Sequence, residues 1–164
     1  MQSGQLDESC ETAPGNPYGF AKDCLRRQLE FRQQTKSFGL TWARLFYLHG
    51  DDQASNSLFP LLRAAVERGD PTFNMSGGEQ IRDYLPIGET AHYLVALALA
   101  PTDAGIVNVC SGRPISVRKL VEGWIAERAW PIGLNLGHYP YPDYEPLAFW
   151  GNADNLRRWQ SKWK

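Results

Sequence analysis

Excess charge of one sign is absent. Lys and Arg number 17 against 18 Asp and Glu in 164 residues, for a net charge of -1. Such a chain has no positive field to hold a nucleic-acid backbone or an anionic bilayer, so neither partner is expected. Long apolar runs are missing too. "HYLVALALA" at 92–100 falls far short of the roughly 20 residues a membrane-spanning helix needs. Cysteine is scarce and odd in number: Cys10, Cys24 and Cys110 show no metal-ligand spacing. They point to free thiols in a reducing cytoplasm, and argue against a disulfide scaffold or a bound metal. The opening "MQSGQLDESCE" is polar and acidic, unlike a signal or transit peptide. A glycine-rich phosphate loop is lacking as well. No G-x-G-x-x-G or G-x-x-G-x-x-G occurs, and "GGEQ" at 77–80 has neither the spacing nor the context.

What is present suits a globular domain: 43% hydrophobic and 21% charged residues supply a core and a solvated surface. Six Trp and seven Tyr raise the idea of base-stacking platforms, but no basic cluster accompanies them and the idea is dropped. Residues 1–16 read as loop. Pro17 suits a first helical position, and strong helix formers follow to about Lys36. "GLTWARLFYL" (39–48) reads as a buried strand. Helices are expected over 57–70, 88–100, 116–129 (capped by Ser116) and 152–163. Short strands are expected at 71–75 and 104–110, with extended chain at 81–87 and after Ile132. This alternation predicts an α/β fold with covered, largely parallel strands, that is, part of a doubly wound sheet. It opens on a helix, whereas a dinucleotide-binding fold opens on a strand and a glycine-rich turn.

Four motifs stand in order along the chain. "NPYGFAK" places Tyr18 and Lys22 four residues apart, on one helix face. "LTWARLFYLHG", "GGEQIRDYLPIGETAHYLVALA" and "GIVNVCSGRPISVRKLVE" follow. Together they resemble the catalytic helix and later segments of the extended short-chain dehydrogenase/reductases, the NAD-dependent nucleotide-sugar epimerases, dehydratases and reductases. The resemblance implies a partial Rossmann-like fold, its C-terminal half plus the small substrate-binding region. Residues 1–50 would be the remaining part of the NAD(P)-binding domain. Residues 51–164 would be mainly the substrate region, with about 81–110 returning to the first domain. The glycine-rich cofactor half would precede the chain. So would the catalytic Ser or Thr, since it lies a little over twenty residues before the tyrosine and Ser3 is too close.

The resemblance also assigns roles. Tyr18 would be the acid/base for hydride transfer on a nucleotide-diphospho-sugar, with Lys22 supplying charge and holding the nicotinamide ribose. A free phenol, with pKa about 10, is a poor base at neutral pH, and a neighbouring cation lowers it. Tyr18, Lys22 and Phe46 would contact NAD or NADP; Tyr47 and Arg82 would contact substrate, Arg82 taking the diphosphate. Many relatives carry Asn where this chain has Tyr47. The competing reading makes Tyr18 and Lys22 ordinary helix residues, and Arg82 a surface partner of Asp83 or Glu79. Asp83 is expected to orient backbone or Arg82. Strand alternation would send Arg44 and Phe46 to one face and Leu45 and Tyr47 to the other. Asn108 and Gly112 read as structural, and His49 as a residue of a loop rimming the pocket. Epimerisation, dehydration and 4-keto reduction all begin from the same machinery. A catalytically inactive remnant or a non-catalytic sugar-nucleotide-binding module is the alternative. A homodimer through the Tyr18 helix is a further expectation, with Ala21, Leu25 and Leu29 at its apolar positions.

Overall fold

A computed structural model describes residues 2–50, 53–143, 145–161 and 163. Five helices alternate with short strands. They are α1 (Pro17–Gln33), α2 (Leu58–Glu67), α3 (Ile87–Ala98), α4 (Val117–Glu127) and α5 (Asp154–Gln160). The strands are β1 (Gly4–Leu6), β2 (Thr41–Leu45), β3 (Tyr47–His49), β4 (Thr72–Asn74), β5 (Ile81–Arg82), β6 (Tyr84–Pro86), β7 (Gly105–Val109), β8 (Ile115–Ser116), β9 (Gly133–Asn135) and β10 (Phe149–Gly151). Helix starts follow their caps: the Asn16 side chain accepts from Gly19 N at 2.7 Å, and Ser116 Oγ accepts from Lys119 N at 3.2 Å.

Pairing is parallel for β1 with β10, β2 with β7, β3 with β6 and β4 with β9; β5 and β8 run antiparallel. The expected single strand over 39–48 is in fact two. The chain leaves β7 at Phe46, whose N donates to Val109 O at 3.4 Å, and joins β6 through Tyr47 N to Asp83 O at 3.1 Å. The supposed opening loop contains β1, held by β10. The α1 helix stops at Gln33, short of the expected Lys36.

Two apolar clusters fill the interior. One side of α2 (Phe59, Leu62, Ala65) meets Phe73 of β4, and Val121 and Trp124 of α4. The spacing of the α2 residues puts all three on a single stripe. The second cluster joins Leu85 of β6, Leu97 of α3, Val107 and Val109 of β7, and Leu156 of α5. These interiors are close-packed, so their contribution rests on burial of whole side chains, about 1.5–3 kcal/mol each. By contrast α1 buries only Arg26. Its expected apolar stripe is weak: Ala21 and Leu25 are exposed and Leu29 half-buried. Arg26 instead donates to both carboxylate oxygens of Glu30, at 2.6 and 2.7 Å, and to Asp23 Oδ1 at 2.8 Å. The Thr12 hydroxyl also donates to Asp23, at 2.7 Å. Hydrogen bonds from Thr12 and then from Arg26 hold the Asp23 carboxyl well below the usual carboxylate range.

The turn after β7 is tight. Gly112 has φ +66°, and an added Cβ would lie 2.9 Å from both Ala153 Cβ and Arg157 Nη2. Gly112→Ala is therefore expected to lose about 1–2 kcal/mol from the backbone conformation alone. A lower urea midpoint at unchanged slope is the readout.

Candidate active site

The first turn of α1 and the junction between β2 and β3 enclose a cleft of about 640 Å³. Thr12, Asn16 and Tyr18 line one wall; Arg44, Phe46 and Tyr47 line the other. It opens beside the C-terminal ends of the paired strands β2 and β7, where ligands of open parallel sheets bind. All of Arg44, Leu45, Phe46 and Tyr47 reach the lining. Simple alternation, which would have split them between two faces, fails because the chain changes partner strand at Phe46.

Tyr18 is 73% exposed. Its helical neighbour Lys22 lies one turn on, with Nζ 5.6 Å from the Tyr18 ring centroid. Lys22 makes no hydrogen bond or ion pair among the described residues, and both groups remain open to a ligand. The structure thus brings together Tyr18, Phe46 and Tyr47 in one cleft, with Lys22 against Tyr18 just outside the lining.

Arg82 is placed differently. It is 3% exposed and does not pair with Asp83 or Glu79. Its guanidinium lies behind the lining, 4.5 Å from the Phe149 ring and 5.8 Å from that of Tyr47. It donates to Glu145 Oε2 at 3.0 Å, and to the carbonyls of Ile81 and Leu147 at 2.9 and 3.1 Å. The other oxygen of Glu145 accepts from the Tyr47 hydroxyl at 2.6 Å. Burial first, then the Glu145 hydrogen bond and charge, push the Tyr47 phenol above its ordinary range, against a smaller opposing pull from Arg82. Sequence reasoning singled out neither Glu145 nor Phe149. The available signal was the buried arginine of "IRDY", which needs a carboxylate, and the acidic residue in the aromatic "DYEPLAFW" stretch.

Asp83 is fully buried and accepts from Ser111 N at 2.7 Å and Gly112 N at 2.8 Å. It orients backbone, as expected. Asn108 is likewise structural, its amide donating to Leu6 O at 3.0 Å. Arg44 ties the β1–α1 connection by donating to Glu8 O and Cys10 O at 3.1 and 3.2 Å. His49 belongs to β3, not to a loop, and packs 5.4 Å from Trp124. Burial, and then Arg128, lower its imidazole below the ordinary value. All three thiols are free. Burial and then Asp83 push the Cys110 thiol up to about 12, which leaves it no nucleophile at neutral pH.

The model of the NAD dependent epimerase/dehydratase family matches residues 2–110, and the chain belongs to that family. It is 33% identical over 149 residues to dTDP-6-deoxy-L-talose 4-dehydrogenase (NAD(+)) of Aggregatibacter actinomycetemcomitans, a match covering 90% of this chain and 55% of the relative. Among solved structures it resembles UDP-N-acetylglucosamine 4-epimerase from Methanobrevibacter ruminantium, with TM-score 0.83 and 22% identity over 94% of this chain and 50% of the other. UDP-glucuronic acid 4-epimerase from Bacillus cereus in complex with NAD superposes with TM-score 0.78 and 18% identity, over 96% and 49% of the two chains. These structural likenesses establish the Rossmann-like fold. The chain spans about half the length of the curated relatives it matches.

Proposed function

We propose that the chain carries the acid/base helix and much of the substrate-binding region of an NAD-dependent enzyme acting on a nucleotide-diphospho-sugar. The observation carrying this reading is the cleft itself. Tyr18, Phe46 and Tyr47 line it together beside the ends of parallel strands, with Lys22 on the Tyr18 ring just outside the lining, and this supports the reading. The open faces of Tyr18 and Lys22 fit a nicotinamide ribose and a reacting hydroxyl. NAD, named for both the talose dehydrogenase and the glucuronic acid epimerase complex, supplies the hydride acceptor when bound. Tyr18 takes the proton of the sugar hydroxyl during oxidation and returns it during reduction, and Lys22 holds the ribose. Arg82 is the group for the diphosphate, offered through N–H donors beyond its three bonds to Glu145, Ile81 O and Leu147 O.

The 33% identical relative is a 4-dehydrogenase, and its reverse is 4-keto-sugar reduction. That favours simple alcohol–ketone interconversion over epimerisation or dehydration. The two apolar clusters support assigning residues 1–50 and about 81–110 to the cofactor-binding domain, and the rest of 51–164 mainly to the substrate region. β6, α3, β7 and α5 pack into the cluster beside β2, while α2, β4 and α4 form the other, so the terminal helix departs from this division. Exposed Ala21 and Leu25, one turn apart on α1, support a homodimer through this helix.

The experiment joins this chain to the preceding half of the talose dehydrogenase. The chimera is first checked for binding of NAD and dTDP-6-deoxy-L-talose, then assayed for NADH. Formation of NADH supports the enzyme reading. Binding of both ligands without NADH overturns it in favour of a non-catalytic binding module.

A further inference from the structure

Residues 10–12, in the connection from β1 to α1, form a partition one chain thick. Cys10, Glu11 and Thr12 line the cleft that holds Tyr18. They also line a second cavity of about 450 Å³, which Arg26 and Glu30 of α1 and Ile106 of β7 share. A segment flanked by two cavities has little packing to fix it. Hydrogen bonds do so instead. Asn108 of β7 holds the near end, donating from N to Glu8 Oε1 and from Nδ2 to Leu6 O, both at 3.0 Å. Beyond Glu8, the one hydrogen bond from the sheet among the described residues is Arg44 Nη1 to Cys10 O, at 3.2 Å. The same nitrogen donates to Glu8 O at 3.1 Å. Gln2 of the opening segment reaches Glu11 O at 2.6 Å. At the far end the Thr12 hydroxyl donates to Asp23 of α1 at 2.7 Å.

The Tyr18 end of α1 depends on this route. Gly19, Asp23, Arg26, Glu30 and Gln33 form an inward stripe at three- and four-residue spacing, and none brings a large apolar side chain. Caps apart, the hydrogen bonds that leave α1 among the described residues join Asp23 and Arg26 to Thr12, and Gln33 to Phe38 O and Asp103. Arg44 forms no ion pair among the described residues, and its buried Nε has no partner. Its bonds go to the two carbonyls of the connection.

We propose that Arg44 is a positioning residue for Tyr18. It clamps the connection, the connection holds Asp23 through Thr12, and Asp23 lies little more than a turn beyond Tyr18 on the same helix. Arg44 also stands two residues before Phe46, so the clamp ties the Tyr18 wall of the cleft to the wall opposite. This assignment rests on the acid/base reading of Tyr18. A displacement of about 1 Å in such a group costs about a hundredfold in rate.

The test removes the clamp as Arg44→Met, which keeps the bulk of the stem. Arg44→Lys restores it, since one ammonium can serve two carbonyls as Nη1 does. On the full chain, Cys10 in the connection and Cys24 on α1 are half-buried thiols, whereas Cys110 is buried. In Arg44→Met, iodoacetamide should label Cys10 and Cys24 about tenfold faster than in wild type, the worth of one charged hydrogen bond, with Cys110 unchanged. Cys24 at its wild-type rate, or all three thiols faster alike, overturns the proposal. In the chimera described above, Arg44→Met should lower kcat about ten- to a hundredfold. KM for dTDP-6-deoxy-L-talose should stay near that of the unsubstituted chimera, and Arg44→Lys should recover most of the loss. An unchanged kcat overturns the positioning role, with a raised KM pointing to direct contact with ligand. Lysine no better than methionine overturns it too. An unsubstituted chimera that makes no NADH overturns the acid/base reading, and the proposal with it.

Discussion

Tyr18→Phe is expected to lower kcat of the assembled enzyme by about a hundred- to ten-thousandfold, the usual worth of one positioned acid/base group. KM and thermal stability should barely move. The substitution removes one oxygen from a ring that is 73% exposed, so no core contact is lost and no buried partner is orphaned. Lys22, 5.6 Å from the ring, is left in place. Tyr47→Phe supplies the contrast within the same cleft. Its phenol is kept protonated by burial and by Glu145, so its loss should raise KM and leave the chemical step near normal. Rates compared at saturating substrate separate the two tyrosines. A Tyr18→Phe enzyme that keeps wild-type turnover would remove Tyr18 from the proton-transfer role.

Asp83→Ala should produce the largest loss of stability, about 2–5 kcal/mol. Its carboxylate is fully buried, and the alanine variant leaves the amides of Ser111 and Gly112 without their acceptor. Each orphaned buried donor costs about 1–3 kcal/mol. The same change loosens the turn between β7 and β8, and so the approach to α4. Asp83→Asn keeps one accepting oxygen and should lose roughly half as much. Urea unfolding of the three proteins gives the comparison. An alanine variant within about 0.5 kcal/mol of wild type, the range of ordinary surface substitutions, would mean that these amides are satisfied some other way.

Much of this molecule is local enough to be read from the chain. Pro17 behind Asn16, and Ser116 before Lys119, mark helix starts because the capping partner is three residues away. Apolar spacing found α2 and α4, and the run at 104–110 found β7. The order of four motifs carried the family. What escaped was set at long range. Arg82 and Glu145 are 63 residues apart, so nothing beside "IRDY" announces its partner. β1 is three residues in a polar stretch, and exists because β10 lies beside it. The break at Phe46 follows from which strand is adjacent on each side, and tertiary neighbours decide that. In the site, Tyr18, Phe46 and Tyr47 were legible from motif wording. The burial of Arg82 was not, because burial is a property of the elements stacked over it.

The single buried residue of α1 is Arg26, and this has a consequence for when the Tyr18 edge of the cleft exists at all. A helix anchored through a few charge-assisted bonds can lift as a unit while the apolar clusters stay intact, at a free energy below that of global unfolding. Amide protons of α1 should then exchange with solvent while those of β7 and α4 remain protected. Partly exposed ion pairs such as Arg26–Glu30 weaken with salt. Ionic strength thus reaches Tyr18 by altering the fraction of time its helix is seated, with its bonding geometry in the seated state unchanged.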